Sequence, residues 1–338
     1  MKLIFELSKE HKKLPCHEVI TTLDAENIQY KIIDSNEDVL IINIEQGDFI
    51  IKRLGERLAF TFFIDEFLFS CPSTLDDIVR CAKRNPLMND GSIAIRCKNR
   101  SSLLQSKELI DSLGNIYTKN RLVNLTYPEI ELRIVVTEHI AYFGIKKIQI
   151  DTSHFQKRRG HLRPFLLPIT LHPKIARALV NLSCAKKQDT LLDPFCGTGG
   201  ILLEAGLLGM HVIGSDVDKK MIDGCKKNLE FYNLKNFSLF CADIGNISKH
   251  VCSVDTIVTD FPYARSTTTK GEQLDKLYNR AFMSISQILK KNGRAVVGFS
   301  NENILRIGEK YLTVLTSYQI KSHRSLTRYF IVFKNSKY

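Results

Sequence analysis

The chain has 338 residues, 44% apolar and 25% charged, with a net charge of +12 and a pI of about 9.2. This is an ordinary globular composition with room for two or three domains, which excludes a disordered or fibrous protein. The basic balance points to a polyanionic partner, nucleic acid ahead of membrane, because no run of membrane-spanning length and no basic amphipathic helix stands out.

The N-terminal apolar run Leu3, Ile4, Phe5, Leu7 is too short for a signal peptide. Lys2 to Leu7 reads as a strand and Pro15 to Leu23 as a helix with proline near its start. Tyr30–Ile33 and Val39–Ile44 read as strands parted by the turn signal Asp34-Ser35-Asn36. This β-α-β-β order predicts a small α+β sandwich of ferredoxin-like type over residues 1–60. A second α+β unit is expected over residues 61–150, with strands at Ala59–Phe63, Phe67–Phe69, Ile93–Cys97, around Val123–Leu125, and at Ile130–Val136 and Ile140–Phe143. Helices open at Ser73-Thr74, where Asp76 and Asp77 suit the positive end of the dipole, and at Ser101-Ser102, the latter stopping at Gly114. Arg96, Lys98 and Arg100, with Lys119 and Arg121, are candidates for a phosphate-facing patch; a solvated face accounts for them equally well.

Periodicity is lost from Asp151 to Pro168. Lys157-Arg158-Arg159-Gly160-His161-Leu162-Arg163-Pro164 reads as part of a basic linker (residues 151–168), able to meet backbone phosphates through Lys157, Arg158, Arg159 and Arg163. Residues 169–338 have another rhythm. Strands of continuous apolar type (Thr190–Leu192, Val212–Ile213, Ser238–Phe240, Thr256–Val258, Ala295–Val297) alternate with helices, which indicates a parallel, doubly wound α/β sheet. Val314 to Arg324 and Thr327 to Phe333 read as an antiparallel hairpin on its edge. The nine cysteines are scattered, without Cys-x-x-Cys or paired Cys/His spacing, which argues against a metal site and for reduced thiols in the cytoplasm.

Ligands of such a sheet bind beyond the carboxyl ends of its strands. Those ends read as Asp193, Asp216, Asp243 and Asp260, about one strand–helix unit apart. Turn chemistry explains one such aspartate; four in register need another reason. Asp193-Pro194-Phe195-Cys196-Gly197-Thr198-Gly199-Gly200 is a glycine-rich turn that lacks the Gly-x-Gly-x-x-Gly of dinucleotide sites and the Gly-x-x-x-x-Gly-Lys of triphosphate loops. Asp193 would repel a pyrophosphate, whereas a ligand with a cationic amino-acid end fits it. Asp216 is placed to bind both hydroxyls of a ribose, and Asp243 to accept from an adenine amine. Together these groups describe S-adenosylmethionine.

The turn 193–200 with Asp260-Phe261-Pro262-Tyr263 resembles class I methyltransferases that act on an exocyclic amine, and Leu171-His172-Pro173-Lys174 resembles the stretch preceding their first strand. More narrowly, the chain resembles the archaeal tRNA (guanine-10 N2)-methyltransferases, strongly over about residues 160–300 and by layout before that. The resemblance implies a ferredoxin-like domain (1–60), a THUMP RNA-binding domain (61–150), the linker, and a Rossmann-like class I methyltransferase domain (169–338). It implies S-adenosyl-L-methionine as cofactor, held by His172, Pro173, Asp193, Phe195, Gly197, Thr198, Gly199, Asp216, Val217, Asp243 and Ile244. The partner it implies is tRNA, with no metal, no membrane and no protein partner required, in the cytoplasm.

Asp260, Phe261, Pro262 and Tyr263 are the expected catalytic group. A guanine N2 lone pair is delocalised into the ring, and two acceptors aimed at the amine hydrogens favour the pyramidal, nucleophilic form. Asp260 offers one acceptor and the Phe261 carbonyl the other, its direction set by Pro262. Tyr263 can stack on the base and Arg265 can pair with a phosphate. The family pattern has a small or imino residue where this chain has Phe261, and glycine where it has Ala264; both departures bear on the methyl count and the target position. Two other readings are a THUMP-containing guanine N2-methyltransferase of another site (tRNA position 6 or ribosomal RNA), and a catalytically inactive RNA-binding protein with the same fold.

Overall fold

The structure is a computed structural model that describes residues 1–45, 47–167, 170–262, 272–301, 304–323 and 326–336. Two compact units are present, each drawn from interleaved segments.

The first unit comprises Met1–Cys16, Ile28–Glu56 and Thr61–Ile150. Its elements are β1 (Lys2–Leu7), the start of α1 (Leu14–Ala25), β2 (Tyr30–Ser35), β3 (Val39–Ile44), α2 (Phe49–Arg57), β4 (Thr61–Pro72), α3 (Leu75–Arg84), β5 (Ile93–Asn99), α4 (Ser106–Tyr117), β6 (Ile130–Val136) and β7 (Ile140–Gln149). One seven-stranded sheet, ordered β2-β3-β1-β4-β7-β6-β5, runs through the boundary expected at residue 60, because β4 pairs with both β1 and β7. β4 is a single strand with a register shift at Phe67/Phe69, where two strands were expected. Helix α4 begins later than expected and passes through Gly114 to Tyr117. Val123 makes only an isolated bridge to Ile93, so the strand expected at Val123–Leu125 is absent. The unforeseen α2 buries Ile50, Ile51 and Leu54 on one face.

The second unit comprises His17–Asn27, Arg57–Phe60 and Asp151–Tyr338. The α1 residues 17–25 join it through Glu18, which is fully buried and accepts from the Ala59 and Phe60 amides at 2.9 and 2.8 Å and from Asn181 Nδ2 at 2.8 Å. Its further elements are α5 (Ser153–Lys157), a 3-10 turn (Gly160–Leu162), α6 (Pro173–Leu182), β8 (Thr190–Asp193), α7 (Gly200–Leu207), β9 (His211–Asp216), α8 (Lys219–Phe231) and β10 (Phe237–Cys241). A second 3-10 turn (Ile244–Lys249), β11 (Val254–Asp260), α9 (Leu274–Ile288), β12 (Leu289–Phe299), α10 (Ile304–Gly308), β13 (Thr313–His323) and β14 (Leu326–Lys334) complete it. The stretch read as a linker therefore carries ordered structure around a buried Phe155; pieces of five and three residues are too short to show a period.

The second sheet is ordered β10-β9-β8-β11-β12-β14-β13, parallel through β12 and antiparallel at the β14 and β13 edge. Its central strands are buried on both faces, as their continuous apolar runs require. This is the α/β, Rossmann-like architecture expected, and strand order reverses between β8 and β11. A ligand crevice opens at such a switch point, beyond the strands' carboxyl ends. Among the described residues no helix is long and apolar enough to cross a membrane, and no cluster of His, Cys, Asp or Glu could hold a metal ion.

Candidate active site

The turn after β8 is shaped by backbone that favours glycine. Gly197 and Gly199 have φ of +49° and +80°, and a Cβ on Gly199 would stand 2.6 Å from Cys225 Sγ. The turn is tied down on two sides: the Cys196 amide donates to the Ser215 carbonyl at 2.9 Å, and Asn228 Nδ2 of α8 donates to the Thr198 carbonyl at 2.9 Å. Thr198 itself is buried.

Asp193 lies beneath this turn. It is 2% exposed, and its Oδ1 accepts from Thr259 Oγ1 at 2.6 Å and from the Phe195 amide at 3.2 Å. Burial pushes its carboxyl up to about 7, against the lowering effect of those two hydrogen bonds. The carboxylate thus braces the turn against β11.

Asp216 and Asp243 sit nearer the surface. Asp216 accepts from the Gly197 amide at 3.1 Å and the Asp218 amide at 2.9 Å, so the end of β9 holds the Gly197 turn; burial raises its carboxyl above the ordinary value, and the amides oppose that. Val217 beside it is 38% exposed. Asp243 caps the second 3-10 turn by accepting from the Gly245 amide at 2.8 Å, and Arg280 of α9 grips it in bidentate fashion at 2.6 and 3.2 Å. Arg280 also binds Glu272 at 2.7 Å. Ile244 is buried in the core that includes Phe261, so its side chain supports the crevice from within.

At the end of β11, the Phe261 amide donates to the Gly298 carbonyl at 2.9 Å. The Phe261 ring is 1% exposed, stacked on Tyr278 (centroids 5.3 Å apart, 10° between planes) and met edge-on by Phe195 at 5.2 Å. Phenylalanine at 261 is therefore a core residue that anchors the tetrad, and Phe195 is its neighbour. Tyr278 Oη donates to the Pro262 carbonyl at 2.8 Å, fixing the chain beyond the tetrad's midpoint. Asp260 Oδ2 lies 3.3 Å from Arg328 Nη1 of β14. Tyr263, Ala264 and Arg265 lie outside the described residues.

His172 and Pro173 start α6: His172 Nδ1 accepts from the Lys174 amide at 3.2 Å, and Pro173 takes the first helical position. Of the basic residues, Arg96 and Lys98 are exposed on one face of β5, and Lys157 and Arg159 are exposed at α5. Three others require correction. Arg100 pairs with Asp38 at 2.5 Å and Glu6 at 3.1 Å, with its side chain 7% exposed. Arg158 pairs at 2.7 Å with Glu204, which is fully buried. Arg163 is 3% exposed and donates to the Arg158 carbonyl at 2.9 Å. These guanidiniums are held inside, and a phosphate cannot reach them.

Sequence reasoning did not find Thr259, Asn228, Tyr278, Arg280 or Arg328. Only Arg328 carried a signal, as a cation within the apolar run Tyr329-Phe330-Ile331-Val332-Phe333 and its flank.

A family model described as RMKL-like, methyltransferase domain, matches residues 160–310. The tRNA (guanine(10)-N2)-dimethyltransferase of Methanothermobacter thermautotrophicus is 33% identical over 333 residues, 97% of this chain and 98% of that protein. The enzyme of the same name from Pyrococcus abyssi is 35% identical over 310 residues, 89% of this chain and 91% of that one. Among solved structures, TrmN from Thermus thermophilus shares the fold with a TM-score of 0.59 at 19% identity, covering 99% of this chain and 100% of that one. Identity at this level over nearly the whole length, with the Gly197 turn and Asp260-Phe261-Pro262 meeting at the switch point of the sheet, places the chain in the family of archaeal tRNA (guanine-N2) methyltransferases.

Proposed function

We propose that the chain transfers methyl groups from S-adenosyl-L-methionine to the exocyclic amine of guanine 10 in tRNA, through to the dimethylated base. The observation that carries this reading is the convergence of the glycine turn after β8 and Asp260-Phe261-Pro262 after β11 on one switch point. The relatives' names supply the nucleotide and the methyl count.

The residues fit such a cofactor. A Cβ on Gly197 would meet nothing within 4 Å, so the turn leaves open space above it. The Asp216 carboxylate accepts from the Gly197 and Asp218 amides on separate oxygens and keeps acceptor capacity for ribose hydroxyls. Val217 would offer exposed apolar surface to the adenine, and Asp243, held by Arg280, would offer an acceptor to its amine. An ammonium above the turn would draw the buried Asp193 toward its carboxylate form. When bound, S-adenosylmethionine supplies an electrophilic methyl group.

Asp260 and the Phe261 carbonyl act on the guanine. Two acceptors on the amine hydrogens stabilise the pyramidal nitrogen, and the buried Phe261 ring with the Tyr278–Pro262 bond keeps those acceptors fixed before the base arrives. Exposed Arg96, Lys98, Lys157 and Arg159 are candidate tRNA backbone contacts, with Tyr263 stacking on the base and Arg265 at a phosphate.

The test is incubation of unmodified tRNA with labelled cofactor, followed by mapping of the product nucleoside. N2-methyl and N2,N2-dimethylguanosine at position 10 are expected. Label on adenine or cytosine, at another guanine, or in ribosomal RNA alone would overturn the proposal.

A further inference from the structure

Asp260 does not stand alone at the end of β11. It pairs in register with Gly298 of β12, which in turn pairs with Phe330 of β14. A Cβ on Gly298 would stand 2.5 Å from Asp260 Oδ1 and 2.7 Å from Phe330 Cε1, closer than real atoms approach. The absence of that carbon lets the carboxylate lie over β12 and reach Arg328, which is two residues before Phe330. The Arg328 side chain is 6% exposed and that of Asp260 19% exposed, with 3.3 Å between Nη1 and Oδ2.

We infer that Arg328 is a positioning residue for the methyl-transfer reaction, holding one oxygen of Asp260 across Gly298 so that the carboxylate meets the guanine amine in a fixed orientation. The inference rests on the reading of Asp260 as the amine's acceptor. A planar guanidinium on a strand sets direction as well as charge, which a flexible ammonium does less well. Among the described residues, the charged and titratable groups facing Asp260 include the Asp193 carboxyl of β8, the Tyr278 phenol of α9 and the Arg328 guanidinium of β14. Of these three, the Arg328 guanidinium is the cation and favours the ionised carboxylate.

The experiment measures single-turnover methylation of unmodified tRNA by the full-length chain and its R328M, R328K, G298A and D260N variants, with cofactor and tRNA affinities measured separately. R328M is expected to lose about 100-fold in rate, with both affinities within about threefold of the parent. R328K should recover about tenfold of that loss, and the acid limb of the R328M rate–pH profile should move up by about one pH unit as the carboxylate loses its cation. An R328M rate within about threefold of the parent, with the acid limb unmoved, overturns the inference. Should R328M fail to fold, G298A decides: it keeps the guanidinium but displaces Oδ1, and a loss of about tenfold is expected, whereas parental rate refutes the arrangement. A parental rate in D260N would overturn the reading of Asp260 itself, and the role of Arg328 with it.

Discussion

Replacing Asp193 with asparagine tests whether that carboxyl acts inward. Asn keeps an oxygen for the Thr259 hydroxyl at 2.6 Å and the Phe195 amide at 3.2 Å, and removes the charge. In the folded chain burial pushes Asp193 up to about 7 from an ordinary 3.8. Below about pH 4 folded and unfolded forms both hold the proton, and the residue is neutral to stability. Between about pH 4 and 7 only the folded form holds it, so stability falls as pH rises; above about 7 the full cost stands, about 4 kcal/mol. D193N should escape this cost. Without cofactor, its melting temperature relative to the parent should therefore climb by about 10 °C between pH 4.5 and 8, taking about 2–4 °C per kcal/mol for a unit of this size. The assay is thermal unfolding of both proteins across that range. A misplaced amide hydrogen in D193N would add an offset, but the same one at every pH. A difference between the two proteins that does not vary with pH would refute the buried, charge-penalised carboxyl.

Gly199→Ala should weaken cofactor binding at least tenfold and lower stability by about 1–3 kcal/mol, since φ of +80° and a 2.6 Å approach to Cys225 Sγ both oppose a side chain; calorimetric titration and unfolding check the two effects. Arg158→Met should destabilise by about 1–2 kcal/mol, because the fully buried Glu204 loses one of its two guanidinium partners and keeps Arg177 at 2.9 Å, while the salt dependence of tRNA binding stays unchanged. Lys157→Gln should do the reverse, lowering the slope of log affinity against log salt by about one with no loss of stability. Arg280→Met should cost several-fold in cofactor affinity by freeing Asp243, with a loss of stability of no more than about 1 kcal/mol, because that ion pair is partly exposed.

The methyltransferase sheet was legible because a strand buried on both faces must be continuously apolar, and because aspartates closing β8, β9 and β11 mark one edge of the sheet. The first unit was less legible. Its register shift at Phe67/Phe69 looks like a break, and Gly55 weakens the helical signal of α2. No local pattern announces that Glu18 will be buried among Ala59, Phe60 and Asn181, residues 41 to 163 positions away. The basic run at 157–163 misled for a related reason. Charge in sequence does not say which guanidiniums face water, and here Arg158 and Arg163 turn inward while Lys157 and Arg159 do not.

Four aspartates looked equivalent in the sequence, and their surroundings make them different. Asp193 is sealed beneath its turn, with burial as the dominant influence on its carboxyl. Asp216 is spent partly on the backbone amides of Gly197 and Asp218, so it shapes the crevice as well as facing it. Asp243 is gripped by Arg280, and Asp260 by Arg328 across a glycine. The two acids expected to touch exocyclic amines, one on adenine and one on guanine, are thus the two paired with arginine. An arginine-paired carboxylate offers a directed negative acceptor, which is what an amine hydrogen requires and what a ribose hydroxyl, able to donate or accept, does not. The arginines come from α9 and β14, after the last aspartate in sequence, which is why the motif-bearing segments did not reveal them.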